Sequence, residues 1–283
     1  MRIAISAETT CDMTEELLEK YDVKTIPFGV FIGDELHKDG DFTTEELFKI
    51  VDETGVLPKT NAVNIEEFTE YFEGLLKEYD AVVHICLSGG ITSATKNAFM
   101  AAEQFENVYV VDSLSLSTGI ALLCIYARTL ADQGVDPKTI QEKVQARASA
   151  VQASFVIERL DYLYKGGRCS SLQLLGANLL KIRPRIVLKN GKMEMDKKYR
   201  GNMESVIQKY GENVFEDFHT PDKSYAFITY TTASEGMLEK ARAACANAGI
   251  ETVYETRAGG TIAAHCGAHT LGILYFNDGV SPV

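Results

Sequence analysis

Four short segments of this 283-residue chain gather the side chains whose types and spacing could do chemistry. Lys59-Thr60-Asn61-Ala62-Val63-Asn64 sets hydroxyl and amide groups just ahead of a helix, and Ser88-Gly89-Gly90-Ile91-Thr92-Ser93-Ala94-Thr95 joins a strand to a helix. A glycine-rich turn running into a helix offers amide donors, hydroxyls and the positive end of a dipole to an anion. Plain N-capping by Thr92 or Ser93 would use the same residues. Lys165-Gly166-Gly167-Arg168 puts an arginine behind two flexible residues, and His265-Cys266-Gly267-Ala268-His269-Thr270-Leu271-Gly272 holds groups that titrate or ligate.

The patterns of several enzyme classes are missing. There is no GxxxxGK[ST] phosphate loop, and neither Gly259-Gly260 nor Gly29-x-x-x-Gly33 makes a dinucleotide fingerprint. No GxSxG frames a serine nucleophile. His265 and Cys266 are adjacent and so point apart, which favours a buried cysteine over a catalytic dyad. His265-x-x-x-His269 lacks a nearby carboxylate to complete a metal site.

These segments must be held by an α/β framework. Ile3-Ala4-Ile5 and Ala81 to Leu87 read as buried strands, Val108 to Val111 as a third, and residues 23–32 as loosely alternating extended chain. Asp12-x-x-Glu15 and Asn64-x-x-Glu67 have the form of capping boxes; the second opens a helix with Phe68, Phe72, Leu75 and Leu76 on one face. Further helices are expected near Ser93–Phe105 and Thr118–Leu130, giving a mainly parallel sheet with helices on both faces. Asp136-Pro137 starts one more helix, suited to a hinge. Beyond it, strands from Ala153, Tyr225, Thr252 and Gly272, a helix over Glu235–Ala248, and an Asn190-Gly191 hairpin between Arg185–Leu188 and Lys192–Met195 imply a mixed sheet with helices. The expected domains are 1–150 and 151–283.

Composition is that of a globular protein, 46% hydrophobic and 24% charged. No apolar run has the roughly 18 residues of a membrane span, and no signal peptide is visible. Six scattered cysteines with no CxxC suggest reduced thiols and the cytoplasm. The net charge of −12 is uneven: residues 1–80 hold 7 basic and 20 acidic side chains, residues 159–200 hold 11 and 3. An acidic protein with one basic stretch argues against nucleic acid and points to a local anion or an acidic partner, with a solvated charged face as the bland alternative.

In order and separation the four segments resemble the DegV family. Glu8-Thr9-Thr10-Cys11-Asp12 is similar to its D-S-x-x-D opening, Thr60 to Asn64 to T-S-Q-P-S, and Ser88 to Ala94 to S-S-G-L-S-G-T. Gly167-Arg168 matches a G-R, Arg200 follows the hairpin as a family arginine does, and His265 to Gly272 is similar to H-x-G-P-G-T-L-G. The resemblance implies two domains with one long-chain fatty acid in a tunnel and no cofactor. Thr60 and Thr92 would bind the carboxylate, with Asn61, Gly90, Ser93, Arg168 and Arg200 around it and His265 supporting it. It further implies a substrate-presenting rather than catalytic role, the partner being the ATP-binding subunit of a bacterial fatty-acid kinase. Asn61 and Thr92 stand where serines are usual, and Ala268-His269 where Pro-Gly is. The competing readings are a binding protein for another small anion, such as a phosphosugar, and an enzyme using His265 as acid or base.

Overall fold

A computed structural model describes residues 1–171 and 182–280. The first half of the chain runs β1 (Ile3–Glu8), α1 (Glu15–Lys20), β2 (Val23–Ile26), β3 (Gly29–Ile32), β4 (Glu35–Lys38), α2 (Thr44–Thr54), β5 (Lys59–Asn61), α3 (Ile65–Leu76), β6 (Ala81–Cys86), α4 (Ala94–Ala102), β7 (Val108–Asp112), α5 (Thr118–Asp132) and α6 (Pro137–Arg147). The second half runs β8 (Val151–Val156), α7 (Leu160–Gly166), β9 (Arg183–Lys189), β10 (Lys192–Tyr199), α8 (Met203–Asp217), β11 (Tyr225–Tyr230), α9 (Glu235–Asn247), β12 (Thr252–Arg257), α10 (Gly260–Cys266) and β13 (Leu271–Phe276).

The fold is α/β. β2-β1-β6-β7 form a parallel sheet, and β10-β9-β8-β13-β11-β12 form a mixed one in which β11 and β12 are parallel and the other neighbours antiparallel. β1 and β6 are neighbours whose chains leave in opposite directions, β1 towards β2 and β6 towards β7. The carboxyl ends of such a pair leave a crevice outside the sheet, where ligands settle in open α/β folds. Here those ends are Glu8 and the Leu87-Ser88 turn.

The core crosses from one sheet to the other through α5. Ten of its fifteen residues are buried, including Ile120, Leu122 and Leu123, because it packs on β1 and β6 on one side and β8 and β13 on the other. A helix apolar nearly all round has no face to give to water. The sheets divide at Val151, the division we propose for domains 1–150 and 151–283, while one apolar cluster joins Ile5 and Val83 to Phe155 and Phe276.

Several local readings are corrected. Residues 23–32 do not form one extended piece: β2 joins the parallel sheet, whereas β3 pairs with β4 and β5 in a separate antiparallel sheet. The cap of α1 is Thr14, whose hydroxyl accepts the Leu17 amide, while Asp12 lies in the left-handed region at φ 51° and turns inward. Asn64 and Glu67 do form the capping box of α3, Asp136 caps α6 ahead of Pro137, and Asn190 and Gly191 both take the positive φ a tight hairpin demands.

That hairpin tip sits on the other sheet's loop. Ser88 Oγ donates to the Gly191 carbonyl at 2.8 Å, and a Cβ on Gly90 would lie 2.3 Å from that oxygen. Both groups are backbone or sealed, so neither yields easily. Gly90→Ala should therefore lower stability by about 1–3 kcal/mol through overpacking, read as an earlier urea midpoint; an unchanged midpoint would mean that the hairpin does not dock there.

Candidate functional site

Between the two large sheets lies a pocket enclosing about 570 Å³ of space with the solvent at its mouth included. Its lining is mostly apolar, including Phe28, Ala62, Leu87, Ile91, Leu116, Met193 and Ile262, with Thr60, Thr92, Ser93, Arg168, Thr261 and His265 supplying polar groups. A second, partly open pocket shares Leu116, Ile262 and Cys266 with the first and is lined further by Phe155 and Leu274.

Each polar group is placed by a different element. β5 pairs with β3, Val30 opposite Thr60, and this register fixes the Thr60 hydroxyl. Thr92 follows the glycine turn after β6; its Oγ1 accepts the Ala94 amide at 3.1 Å, so its own proton is available to a ligand. His265 closes α10, and its Nε2 lies 2.9 Å from Thr60 Oγ1. A Cβ on Gly166 would come within 2.5 Å of His265 Nδ1, so only glycine lets α7 approach the ring. Arg168 follows Gly167, whose φ of 70° ends α7, and donates to the Gly166 carbonyl at 2.6 Å.

Three of the sequence candidates do not line the cavity. Asn61 is exposed on β5, Arg200 is exposed beyond β10, and Gly90 lies under the hairpin with its amide on Ser88 Oγ at 3.2 Å. The other turn amides are engaged as well: Gly89 with Asp112, Ile91 and Thr92 with the Ser88 carbonyl. These four amides are therefore taken, and what Thr92 offers an anion is its hydroxyl. The basic stretch is also partly spoken for, since Arg159 pairs with Asp161, Arg183 with Glu158, and Arg185 and Lys197 with Asp217. Residues 172–181 of that stretch lie outside the described part. His269 meets Glu158 at 2.5 Å instead of joining His265.

What sequence reasoning missed is the support beneath His265. Asp12 Oδ1 accepts the Gly259 amide at 2.8 Å and Oδ2 the Ser117 hydroxyl at 2.5 Å. Asp39 accepts the amides of Gly260 and Thr261 at 2.7 and 3.2 Å. Two carboxyl groups thus cap the first turn of α10, where donors are otherwise unpaired. Gly260 is required there, for a Cβ would meet the Phe42 ring at 2.5 Å. The one sequence signal was the Gly259-Gly260 pair, informative only beside the distant aspartates.

Burial sets the protonation of the site. It holds the His265 ring down to about 4, aided by the Arg168 charge, so the imidazole is neutral at neutral pH. Burial also pushes the Cys266 thiol up to about 12, which disqualifies it as a nucleophile. The Asp12 carboxyl rises to about 8 because burial and the nearby Asp39 charge outweigh the Ser117 and Gly259 donors.

The profile of the family described as "Uncharacterised protein, DegV family" matches residues 2–278. A fatty acid-binding protein of Thermotoga maritima is 31% identical over 226 residues, 76% of this chain and 78% of that one. A DegV domain-containing protein of Caldanaerobacter subterraneus is 28% identical over 279 residues, 97% of this chain and 98% of the relative. The crystal structure of DegV from Bacillus subtilis, described as a fatty acid binding protein, superposes with a TM-score of 0.85 at 26% identity, over 98% of this chain and 99% of the other. Among the described residues no helix is long and apolar enough to cross a membrane.

The Asp12 shift has a pH signature. The carboxyl ionises near pH 4 in an unfolded chain and near 8 in the fold. The folded state binds the proton more tightly, so this stabilising contribution is complete below about pH 4 and is lost as pH rises through about 8. Asp12→Asn keeps an acceptor for Gly259 and removes the titration. Urea midpoints of wild type should fall relative to Asp12→Asn between about pH 4 and 8 and run parallel above that; curves parallel throughout would contradict the assignment.

Proposed function

The chain belongs to the DegV family, and from that premise we propose that it binds one long-chain fatty acid and presents its carboxylate to a partner. The observation that carries this reading is that Thr60, Thr92 and His265 line one mostly apolar cavity, three of whose residues also line a second, more apolar one. The head group sits against the two threonine hydroxyls, and the acyl chain runs past Leu116 and Ile262.

The chemistry of such a ligand fits both ends. Burying about 15 methylenes at roughly 0.8 kcal/mol each gives on the order of 12 kcal/mol before ordering and association costs. A carboxylate drawn in with the chain must meet donors, since an unpaired buried charge is prohibitive. A neutral His265 holding its one proton on Nε2 donates it to Thr60 Oγ1, which turns the threonine proton towards the ligand. A phosphosugar would want polar walls along its length, and the second cavity is apolar.

The role is presentation rather than catalysis. The thiol beside His265 is protonated, and among the described residues that line the cavity the one charged group beside the histidine is the Arg168 guanidinium. The partner we propose is the ATP-binding subunit of a fatty-acid kinase, met at the cavity mouth by Arg168 and, further out, by Arg200. Six free, buried cysteines accord with a reducing compartment, the cytoplasm.

Thr60→Ala and Thr92→Ala should each weaken fatty-acid binding by about 10- to 100-fold, the worth of one charge-assisted hydrogen bond, with an unchanged circular dichroism spectrum. Unchanged affinity in the double variant would put the carboxylate elsewhere. Arg168→Ala and Arg200→Ala should keep binding but slow acyl-phosphate formation in a reconstituted assay with the kinase subunit; full activity of both would remove the arginines from partner contact.

A further inference from the structure

One face of the parallel sheet carries a polar cluster that the binding cavity does not use. β1 and β6 pair with Ser6 opposite His84, and two residues on, along the same face, stand Glu8 and Cys86. All four side chains are fully buried. The rings of Phe68, Tyr71 and Phe72 on α3 close over His84. Polar groups so enclosed are costly unless each finds a partner.

One atom of each pair is tied and the other is left over. His84 Nδ1 meets Ser6 Oγ at 2.7 Å, and Glu8 Oε2 accepts the Leu87 amide at 2.9 Å. Among the described residues His84 Nε2 has no hydrogen-bond partner, and Glu8 Oε1 has none beyond the Cys86 thiol that leans on this carboxyl. The two atoms face each other at 3.9 Å, beyond hydrogen-bond reach. Cys86 Sγ completes the group, with a carboxylate oxygen, an imidazole nitrogen and the sulfur all within 4.8 Å of one another.

We propose that Glu8, His84 and Cys86 bind one divalent cation of the zinc class as a structural ion. The donor set is one such a cation accepts, carboxylate oxygen, imidazole nitrogen and thiolate, with one water molecule as the fourth ligand of the tetrahedron. Ser6 accepting from Nδ1–H leaves the Nε2 lone pair for the metal, and the Leu87 amide orients the carboxylate, the outer contacts that ligating side chains need. At tetrahedral geometry the nitrogen and oxygen ligands stand about 3.4 Å apart, so the 3.9 Å separation must close by roughly half an ångström. On binding, the Cys86 S–H bond breaks, the proton leaves to solvent and a sulfur–metal bond forms. Carboxylate and thiolate together then balance the two positive charges, leaving the enclosed site neutral. Through Leu87 the ion would stiffen the turn that carries Thr92. The spacing of the cysteines along the chain hides such a site; only the register of two adjacent strands assembles it.

The test is metal content and spectroscopy on the full chain. Wild type, passed over a sizing column in chelator, should retain about one equivalent of zinc, and on refolding with cobalt(II) should show thiolate-to-cobalt charge-transfer absorption. Cys86→Ala and Glu8→Gln, which change little volume, should fold by circular dichroism, hold less than about a tenth of an equivalent, and in Cys86→Ala lose the cobalt band. Wild type without metal, both as purified and refolded with zinc or cobalt, would reduce the cluster to a water-bridged or thiol-bonded pair and overturn the proposal. Equal metal content in wild type and Cys86→Ala would place the ion elsewhere and overturn it as well.

Discussion

The capping of one seven-residue helix by two buried carboxyl groups is the constraint on which the site rests. Asp12 and Asp39 come from the first forty residues, and α10 from the last thirty. Hydrogen bonds to carboxylates contribute about 1.5–3 kcal/mol each where burial does not cancel them, and here burial raises the Asp12 pKa instead. The result is a rigid seat for α10 whose strength depends on which form Asp12 takes. From that seat project Ile262 and Cys266, shared by both cavities, and His265, which meets Thr60. Moving the helix by an ångström would break the Thr60 contact and reshape both cavities at once.

A second constraint holds the two sheets in register around that seat. α5 offers apolar residues to both, and the hairpin tip at Gly191 rests on Ser88 and Gly90. The glycine turn that looks like an anion loop in the sequence is, in the fold, a docking surface for the hairpin. The amides of Gly89 to Thr92 are satisfied by Asp112 and Ser88, and the turn contributes Thr92 and Ser93 to the cavity lining. Ligand polarity is therefore matched by side chains on three separate elements, each with its own support.

How much of this was legible in the sequence depended on range. The capping box of Asn64 and Glu67, the Pro137 helix start and the Asn190-Gly191 turn are local, decided within four residues, and were readable. Thr60, Thr92, His265 and Arg168 were singled out by residue type and by family resemblance, and they do line one cavity. Asp12 was misread as a local cap because its partners, Ser117 and Gly259, lie 105 and 247 residues away. β5 is only three residues long and carries no alternation, and α10 is short and opens on two glycines, which disfavour helices. The excess of positive charge over residues 159–200 overstated the free basic surface, because acidic partners for Arg183 and Lys197 come from outside that stretch.

The central claim, that the chain holds one long-chain fatty acid by its carboxylate, is tested most directly by native mass spectrometry of the protein purified from a bacterial host. The account predicts a complex heavier than the bare chain by one fatty acid, released on denaturation and identified in the extract. Bare protein that takes up no added C14–C18 acid, or a stoichiometric ligand without an acyl chain, would contradict it.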